Sequence, residues 1–407
     1  MSVKGLHVIT ACQDIARFSE SNSGITRTFL SEPMHDVHRY LADWMRRLDM
    51  HVRLDAIGNI RGLYAAEHED APRLLIGSHL DTVPNAGAYD GVLGVALGLA
   101  LVQELKRTRL PFAIEVVGFS EEEGVRFGVP FLGSRALMGR LDQEILQLRD
   151  RDGVFVPDAI RRFGLDPENL VSARLDQRTF AYLEFHIEQG PVLDSRDVSL
   201  GMVTAIAGQS RYSVTFRGRA NHAGTTPMDL RSDALAAAAQ WIGAVEAKAR
   251  SNDGLVATVA AIESEPHAGN VIAGVVSASL DVRHVDDDVR SSATTELLQK
   301  AREIASARGA SFDAQSRLEQ PAVSMDPALV GVLERAAAQA GYKPPHMASG
   351  AGHDAMIIAE KIPAAMLFIR SPHGISHHPD EAVREEDVGA AITVGLSLLR
   401  ELAASKL

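Results

Sequence analysis

The stretch GSHLDTVPNAGAYDG, residues 77–91, gathers one histidine and two aspartates around a turn. The apolar run before it predicts a strand that ends at His79. Asp81 lies two residues on and stays on the same side if the extended geometry continues. The turn-forming PNAGAYDG then sets Asp90 directly before a helix. Histidine and carboxylate donors at a strand end suit a divalent cation, with Asp81 expected to hold the far nitrogen of His79. Three more groups follow the same rule. Glu121, Glu122 and Glu123 follow the buried-looking strand FAIEVVGFS, and three adjacent carboxylates repel one another unless a cation relieves them. His186 lies in YLEFHIEQG, and His373, His377 and His378 lie in SPHGISHHPDE, just past the strand PAAMLFIR. Open α/β sheets place their ligands beyond the carboxyl ends of strands, so four weak signals at four strand ends reinforce one another.

All these donors are nitrogen or oxygen, which suits Zn²⁺ and equally Mn²⁺, Co²⁺ or Ni²⁺. Thiolate chemistry is excluded, because Cys12 is the chain's one cysteine and sits in a helical-looking run as a small core residue. There is no G-x-S-x-G elbow, no Walker loop and no H-E-x-x-H. Gly91, Gly94 and Gly98 do not match G-x-G-x-x-G and are expected to let a helix pack closely on the sheet.

The elements that must hold these residues alternate between apolar strands and helices, which implies an α/β sheet with helices on its faces. Helices are predicted over 33–48 and 91–107 and strands over 73–80 and 112–120, followed by a polar, loop-rich stretch from 140 to 180. From about Gly208 the style changes. Strands at 211–220, 255–264, 275–284 and 311–317 and helices at 231–250 and 286–308 follow the ferredoxin-like β-α-β-β-α-β order. After residue 326 the first style resumes, ending in an amphipathic helix over 385–404. The expectation is a discontinuous domain, 1–208 with 326–407, into which a smaller α+β domain, 209–325, is inserted. A chain of 407 residues favours two cores over one. Its 41 basic and 53 acidic residues give a net charge of −12, which disfavours nucleic acid and anionic membranes. The opening residues lack the long apolar run of a signal peptide, and no stretch is apolar enough for a membrane span. A cytoplasmic protein is expected.

GSHLDTVPNAGAYDG, SEEEGVRFG, FHIEQGPVL, NHAGTTPM, SGAGHDA and GISHHPDE occur in this order, and together they resemble the dinuclear-metal amidohydrolases of the hydantoinase/carbamoylase type. That family includes N-carbamoyl-L-amino acid hydrolases, allantoate amidohydrolases and metallopeptidase-like β-ureidopropionases. The resemblance implies a metallopeptidase-like catalytic domain with a central mixed sheet, and a lid and dimerisation domain inserted in it. It implies two divalent metals per subunit bridged by Asp90. His79 and His186 would complete one site, and Glu123 and His377 the other. Glu122 would be the general base, leaving Glu121 as a flanking acid. The residues by themselves do not choose among the three glutamates. His222 would help polarise the scissile carbonyl. Arg211, Asn270 and Arg283 would hold the substrate, with Gln189 and His353 as further candidates.

In the family, His222 and Asn270 reach the site from the partner subunit, which implies a homodimer through the inserted domain. The implied reaction is hydrolysis of the ureido C–N bond of a small carboxylate-bearing substrate, by a water activated between the metals. N-carbamoyl-L-amino acids rank first and allantoate second. An aminoacylase or dipeptidase ranks lower, since those relatives carry a carboxylate where this chain has His186. A metal-binding module without catalysis ranks last, because every ligand and the base are present.

Overall fold

A computed structural model describes residues 3–404 and divides the chain into two compact units, 1–204 with 325–407 and 205–324. In the first unit the strands are β1 (His51–Leu54), β2 (Ile60–Tyr64), β3 (Arg73–His79), β4 (Ala113–Phe119), β5 (Thr179–Ile187), β6 (Leu200–Ile206), β7 (His346–Ser349) and β8 (Ala364–Ile369). They form a mixed sheet in the order β1-β2-β4-β3-β5-β8-β6, with β7 also paired to β6. The four central strands β4, β3, β5 and β8 are mutually parallel. Their carboxyl ends therefore open on one edge of the sheet, which is where the candidate ligands lie.

These strands read as continuous apolar runs because both faces are covered. The helix Val92–Glu104 is buried from Val92 to Val102. It approaches closely enough that a Cβ on Gly94 would stand 2.2 Å from the Phe185 carbonyl oxygen and 2.8 Å from Ser78 Cβ. The N-terminal helix Val3–Ile15 buries Cys12 completely, and burial holds its thiol far above the ordinary range. Such a group is a core residue without nucleophilic character.

The second unit has strands Gly208–Arg217, Val275–His284 and Ser311–Gln320, packed by the helices Ala234–Arg250 and Asp287–Ala307. Its core centres on Trp241, whose indole N–H donates to the Leu297 carbonyl at 3.0 Å. Asp233 and Asp286 accept first-turn amide N–H groups and so fix where the two helices begin. One expected strand is broken. Residues 255–264 form two short strands, Val256–Thr258 and Ile262–Glu265, both paired with Val275–His284. Between them the amides of Ala260 and Ala261 donate to the Ser279 hydroxyl at 3.2 and 3.0 Å, and the Ser279 amide donates to the Ala261 carbonyl at 3.1 Å, so a side chain stands in for part of the backbone ladder. Among the described residues no helix is long and apolar enough to cross a membrane.

Candidate metal centre

The strand ends bring five of the expected residues together. Asp90 is the hub. Its Oδ1 stands 3.3 Å from His186 Nε2 and 3.7 Å from His79 Nε2, and its Oδ2 stands 3.2 Å from His377 Nε2. His377 Nε2 is in turn 3.6 Å from Glu123 Oε1. His79, Asp90 and His186 form one set of donor atoms within 4.8 Å of one another, and Asp90, Glu123 and His377 form a second. One carboxylate with an oxygen in each set has the form of a bridge.

The histidine tautomers sharpen this. His79 Nδ1 lies 2.9 Å from the Asp81 carbonyl, and His186 Nδ1 lies 2.9 Å from the Ile187 carbonyl. A carbonyl only accepts, so each Nδ1 carries a hydrogen, and in the neutral ring that a metal ligand must be, each Nε2 presents a lone pair. The two Nε2 atoms face each other at 3.4 Å. Two opposed lone pairs repel, and a cation placed between them and Asp90 Oδ1 converts repulsion into coordination. By this test the residues fit a divalent metal.

Three buried carboxylates hold the loops that carry the donors. Asp81 accepts the amides of Glu122 and Glu123 at 2.9 and 3.0 Å. Glu381 Oε1 accepts the amides of Tyr89 and Asp90 at 2.8 and 3.0 Å, and its Oε2 accepts the Ser376 hydroxyl at 3.2 Å. Glu188 takes the amides of Val192 and Leu193 at 2.7 and 2.9 Å. The expectation for Asp81 thus changes in detail. Its main-chain carbonyl orients His79, its carboxylate stands 3.6 Å from that ring, and the carboxylate's closer partners belong to the glutamate loop. Gln189, at φ 57°, donates from its amide to both Asp90 oxygens at 3.1 and 3.0 Å. His377 also adopts a left-handed φ of 55°. Non-glycine residues held there cluster at functional sites.

The electrostatics point the same way. Burial raises the carboxyls of Glu121 and Glu122 well above the usual range, and neighbouring carboxylates add to the shift. Burial and Asp90 bring Glu123 to about 7. Glu121 is fully buried, and neither of its oxygens finds a hydrogen bond. Burial brings His186 down to about 4 and so keeps the ring neutral, as a ligand must be. So many acids in so little solvent call for a counter-charge.

His353 is buried behind this set, 4.5 Å from His186 between ring centroids, with its Nε2 2.8 Å from the Ser349 hydroxyl. His373 and His378 stay outside: both are exposed, His373 donating its amide to Asp194 and His378 lying 3.5 Å from Asp380. Sequence reasoning misses Glu184 and Glu381. Glu184 is buried on β5 beside His186 and His353, accepting the Ser78 hydroxyl at 3.1 Å and the Ala355 amide at 3.0 Å. A glutamate inside a buried, largely apolar strand is the available signal.

Within the second unit, Arg211 and Arg283 share one partner. Arg211 Nε lies 2.9 Å from Asp281 Oδ2, and Arg283 Nε lies 2.8 Å from Asp281 Oδ1. His222 pairs in register with Val271, and the Ala223 amide donates to the Asn270 carbonyl at 2.9 Å, so His222 and Asn270 are neighbours. His222 Nδ1 accepts the amides of Gly224 and Thr225 at 3.0 and 3.2 Å. In the neutral ring that leaves Nε2 carrying the hydrogen.

Comparisons with known proteins identify the family. The model of peptidase family M20/M25/M40 matches residues 75–401. The chain is 38% identical to an N-carbamoyl-L-amino acid amidohydrolase of Geobacillus stearothermophilus, over 92% of each chain. It is 37% identical to allantoate deiminase 1 of Glycine max, over 96% of this chain and 88% of that one. A crystal structure of a hydantoinase/carbamoylase family amidase from Burkholderia multivorans superposes with a TM-score of 0.93 at 30% identity, covering 99% and 98% of the two chains. An aminopeptidase PepT from Bacillus cereus, at 18% identity and a TM-score of 0.65, shares the fold. With two histidine–carboxylate sets joined by Asp90 at the ends of parallel strands, the chain belongs to the M20/M25/M40 peptidase family, on its hydantoinase/carbamoylase amidase branch.

Proposed function

We propose that this protein hydrolyses the ureido C–N bond of a small carboxylate-bearing substrate, with N-carbamoyl-L-amino acids ranked ahead of allantoate. The observation that carries the reading is the pair of donor sets joined through Asp90, with His79 and His186 presenting Nε2 lone pairs into one of them. His79, His186 and Asp90 would hold one divalent ion, and Asp90, Glu123 and His377 a second. Zn²⁺ is the first choice, and Mn²⁺, Co²⁺ or Ni²⁺ fit the same donors. Bound there, the ions supply an acidified water and polarise the scissile carbonyl.

The chain's own residues do the rest. Glu122 takes the proton from the attacking water and delivers it to the leaving nitrogen, and burial, which disfavours its charged form, raises its affinity for protons. Asp81 holds the Glu122 amide and so aims its side chain. His222 donates from Nε2 to the carbonyl oxygen as charge develops there. Arg211 and Arg283 receive the substrate carboxylate, with Asn270 and Gln189 as further polar contacts. Addition of water to R–NH–CO–NH₂ releases ammonia and leaves a carbamate, which breaks down to CO₂ and the amine. His222 and Asn270 would serve the site of a second copy, in a homodimer built through the inserted unit. The reaction is assigned to the cytoplasm.

The test is ammonia release, measured side by side on N-carbamoyl-L-amino acids, N-carbamoyl-β-alanine and allantoate, with the metal-free protein reloaded with Zn²⁺ or Mn²⁺. Faster turnover of dipeptides or N-acyl amino acids would overturn the reading. Allantoate stands as the second substrate because the allantoate deiminase of Glycine max is nearly as similar to this chain as the carbamoylase. Metal uptake with no turnover of any of these compounds would leave a binding module instead.

A further inference from the structure

At the opposite end of the parallel strands, the first unit holds a cavity of about 390 Å³. It lies at the start of β3, whose other end carries His79, so a seven-residue strand of roughly 20 Å separates it from the metal centre. Its wall is dominated by arginine: Arg53 from β1, Arg61 from β2, Arg73 from β3, and Arg174 just after the short helix Pro167–Ala173.

The carboxylates facing these groups do not match them. Glu115 is shared by three guanidiniums: Arg61 at 2.8 Å, Arg53 at 3.5 Å and Arg73 at 3.7 Å. Asp176 is claimed by Arg73 at 2.9 Å and Arg178 at 3.1 Å. Asp55 stands behind, 3.8 Å from Arg61. Arg174 is exposed and makes no ion pair among the described residues. Arg61 is fully buried, donating from Nε to Glu115 and from Nη1 to the Ala173 carbonyl at 2.8 Å, while its Nη2 has no hydrogen-bond partner. An orphaned donor on a buried cation is costly, and native structures rarely leave one without a ligand or water to satisfy it. Burial and the Arg61 guanidinium beside it weaken the hold of Arg53 on its proton, and paired arginines bring Asp176 down to about 2.

We propose that this cavity is a binding site for a phosphate group, free or carried by a small metabolite, which supplies the missing negative charge. Arginine's planar fork matches phosphate oxygens in pairs, and guanidiniums from three strands and the Arg174 segment approach the space from different sides. The cavity is larger than a bare phosphate ion, which favours a phosphorylated small molecule. The site is independent of the reaction proposed above and stands or falls separately.

The experiment is calorimetric titration of the metal-loaded protein with inorganic phosphate and with glycerol phosphate, against sodium chloride at equal ionic strength. Saturable phosphate binding is expected, weakened at least tenfold in Arg53→Gln and in Arg174→Gln, with ammonia release unchanged in both. Arg174 is exposed, so its variant folds and decides the matter even if Arg53→Gln does not. Binding of the ester as tightly as free phosphate assigns the site to a phosphorylated metabolite, and preference for free phosphate assigns it to the ion. No saturable binding, or the same affinity in the Arg174 variant and wild type, would overturn the proposal; the second result would place the phosphate elsewhere, at the metal centre.

Discussion

Glu381 and Asp90 lie 291 residues apart in the chain, and Glu381 Oε1 accepts the Asp90 amide at 3.0 Å. The same oxygen takes the Tyr89 amide, while Oε2 holds Ser376, next to His377. One buried carboxylate therefore sets the spacing between Asp90 and His377, the most exposed of the candidate donors. Glu381→Ala is expected to weaken metal binding about 10- to 100-fold, the usual cost of losing a group that orients a ligand. Glu381→Gln, which keeps an oxygen for the amides, is expected to recover most of it. Metal affinity from competition with a chelating dye is the measurement, and equal loss in both variants would show that charge, not hydrogen bonding, matters.

Glu122→Gln preserves shape but removes the proton acceptor. Turnover should fall by roughly 10² to 10⁴, the range for general acid–base groups, with bound metal unchanged by elemental analysis. Full activity in this variant would exclude Glu122 as the base.

Chelation should cost stability as well as activity. Asp90, Glu121, Glu122 and Glu123 are concentrated in one buried region. Removing a cation leaves their repulsion uncompensated, so the melting temperature is expected to drop on dialysis against EDTA and return on adding Zn²⁺. An unchanged melting curve would argue that no structural cation had been held there.

A pH effect is expected away from the candidate metal centre. His38 is buried in the helix Glu32–Arg47, neither ring nitrogen has a hydrogen bond, and burial lowers it to about 3. Its ordinary value is 6.5. Below that pH the unfolded chain takes up a proton that the folded chain refuses, so this contribution is complete above 6.5 and is lost as pH falls from 6.5 towards 3. The loss is roughly 1.4 kcal/mol at about pH 5.5. His38→Leu should lose less stability than wild type between about pH 7 and pH 5.5, as read from urea denaturation at each pH.

Gly94→Ala tests the packing that seats the site. The added methyl would meet the Phe185 carbonyl, one residue before His186, with the Ser78 side chain also in its way. A destabilisation of about 1–3 kcal/mol is expected, accompanied by weaker metal binding.

Much of this is readable from the sequence because it rests on local rules. Strand-end position groups His79, Asp90, Glu122, Glu123, His186 and His377, since parallel strands present their carboxyl ends together. The helices at 327–339 and 385–404 announce themselves by period. What stays hidden depends on contacts between distant segments. β6, LGMVTAI, has neither clear alternation nor strand-framing turns, and only its pairing with β8 shows what it is. The division among the three glutamates is likewise tertiary: Asp81 holds the amides of Glu122 and Glu123 while Glu121 is sealed inside. Glu381 stands in a motif that the histidines already single out, but its role emerges only once Tyr89 and Asp90 are beside it.

The strand order has a consequence for how the protein is made. β8 lies between β5 and β6, parallel to one and antiparallel to the other, although about 160 residues of chain, including nearly all of the inserted unit, separate it from β6. During synthesis the inserted unit, being contiguous, can fold as soon as residue 324 has emerged, while the sheet around it still has a gap. β5 and β6 must wait with unpaired edges for a partner that the ribosome has yet to deliver. Early translation thus yields a contiguous unit that can be complete while the sheet around it still lacks residues 364–369.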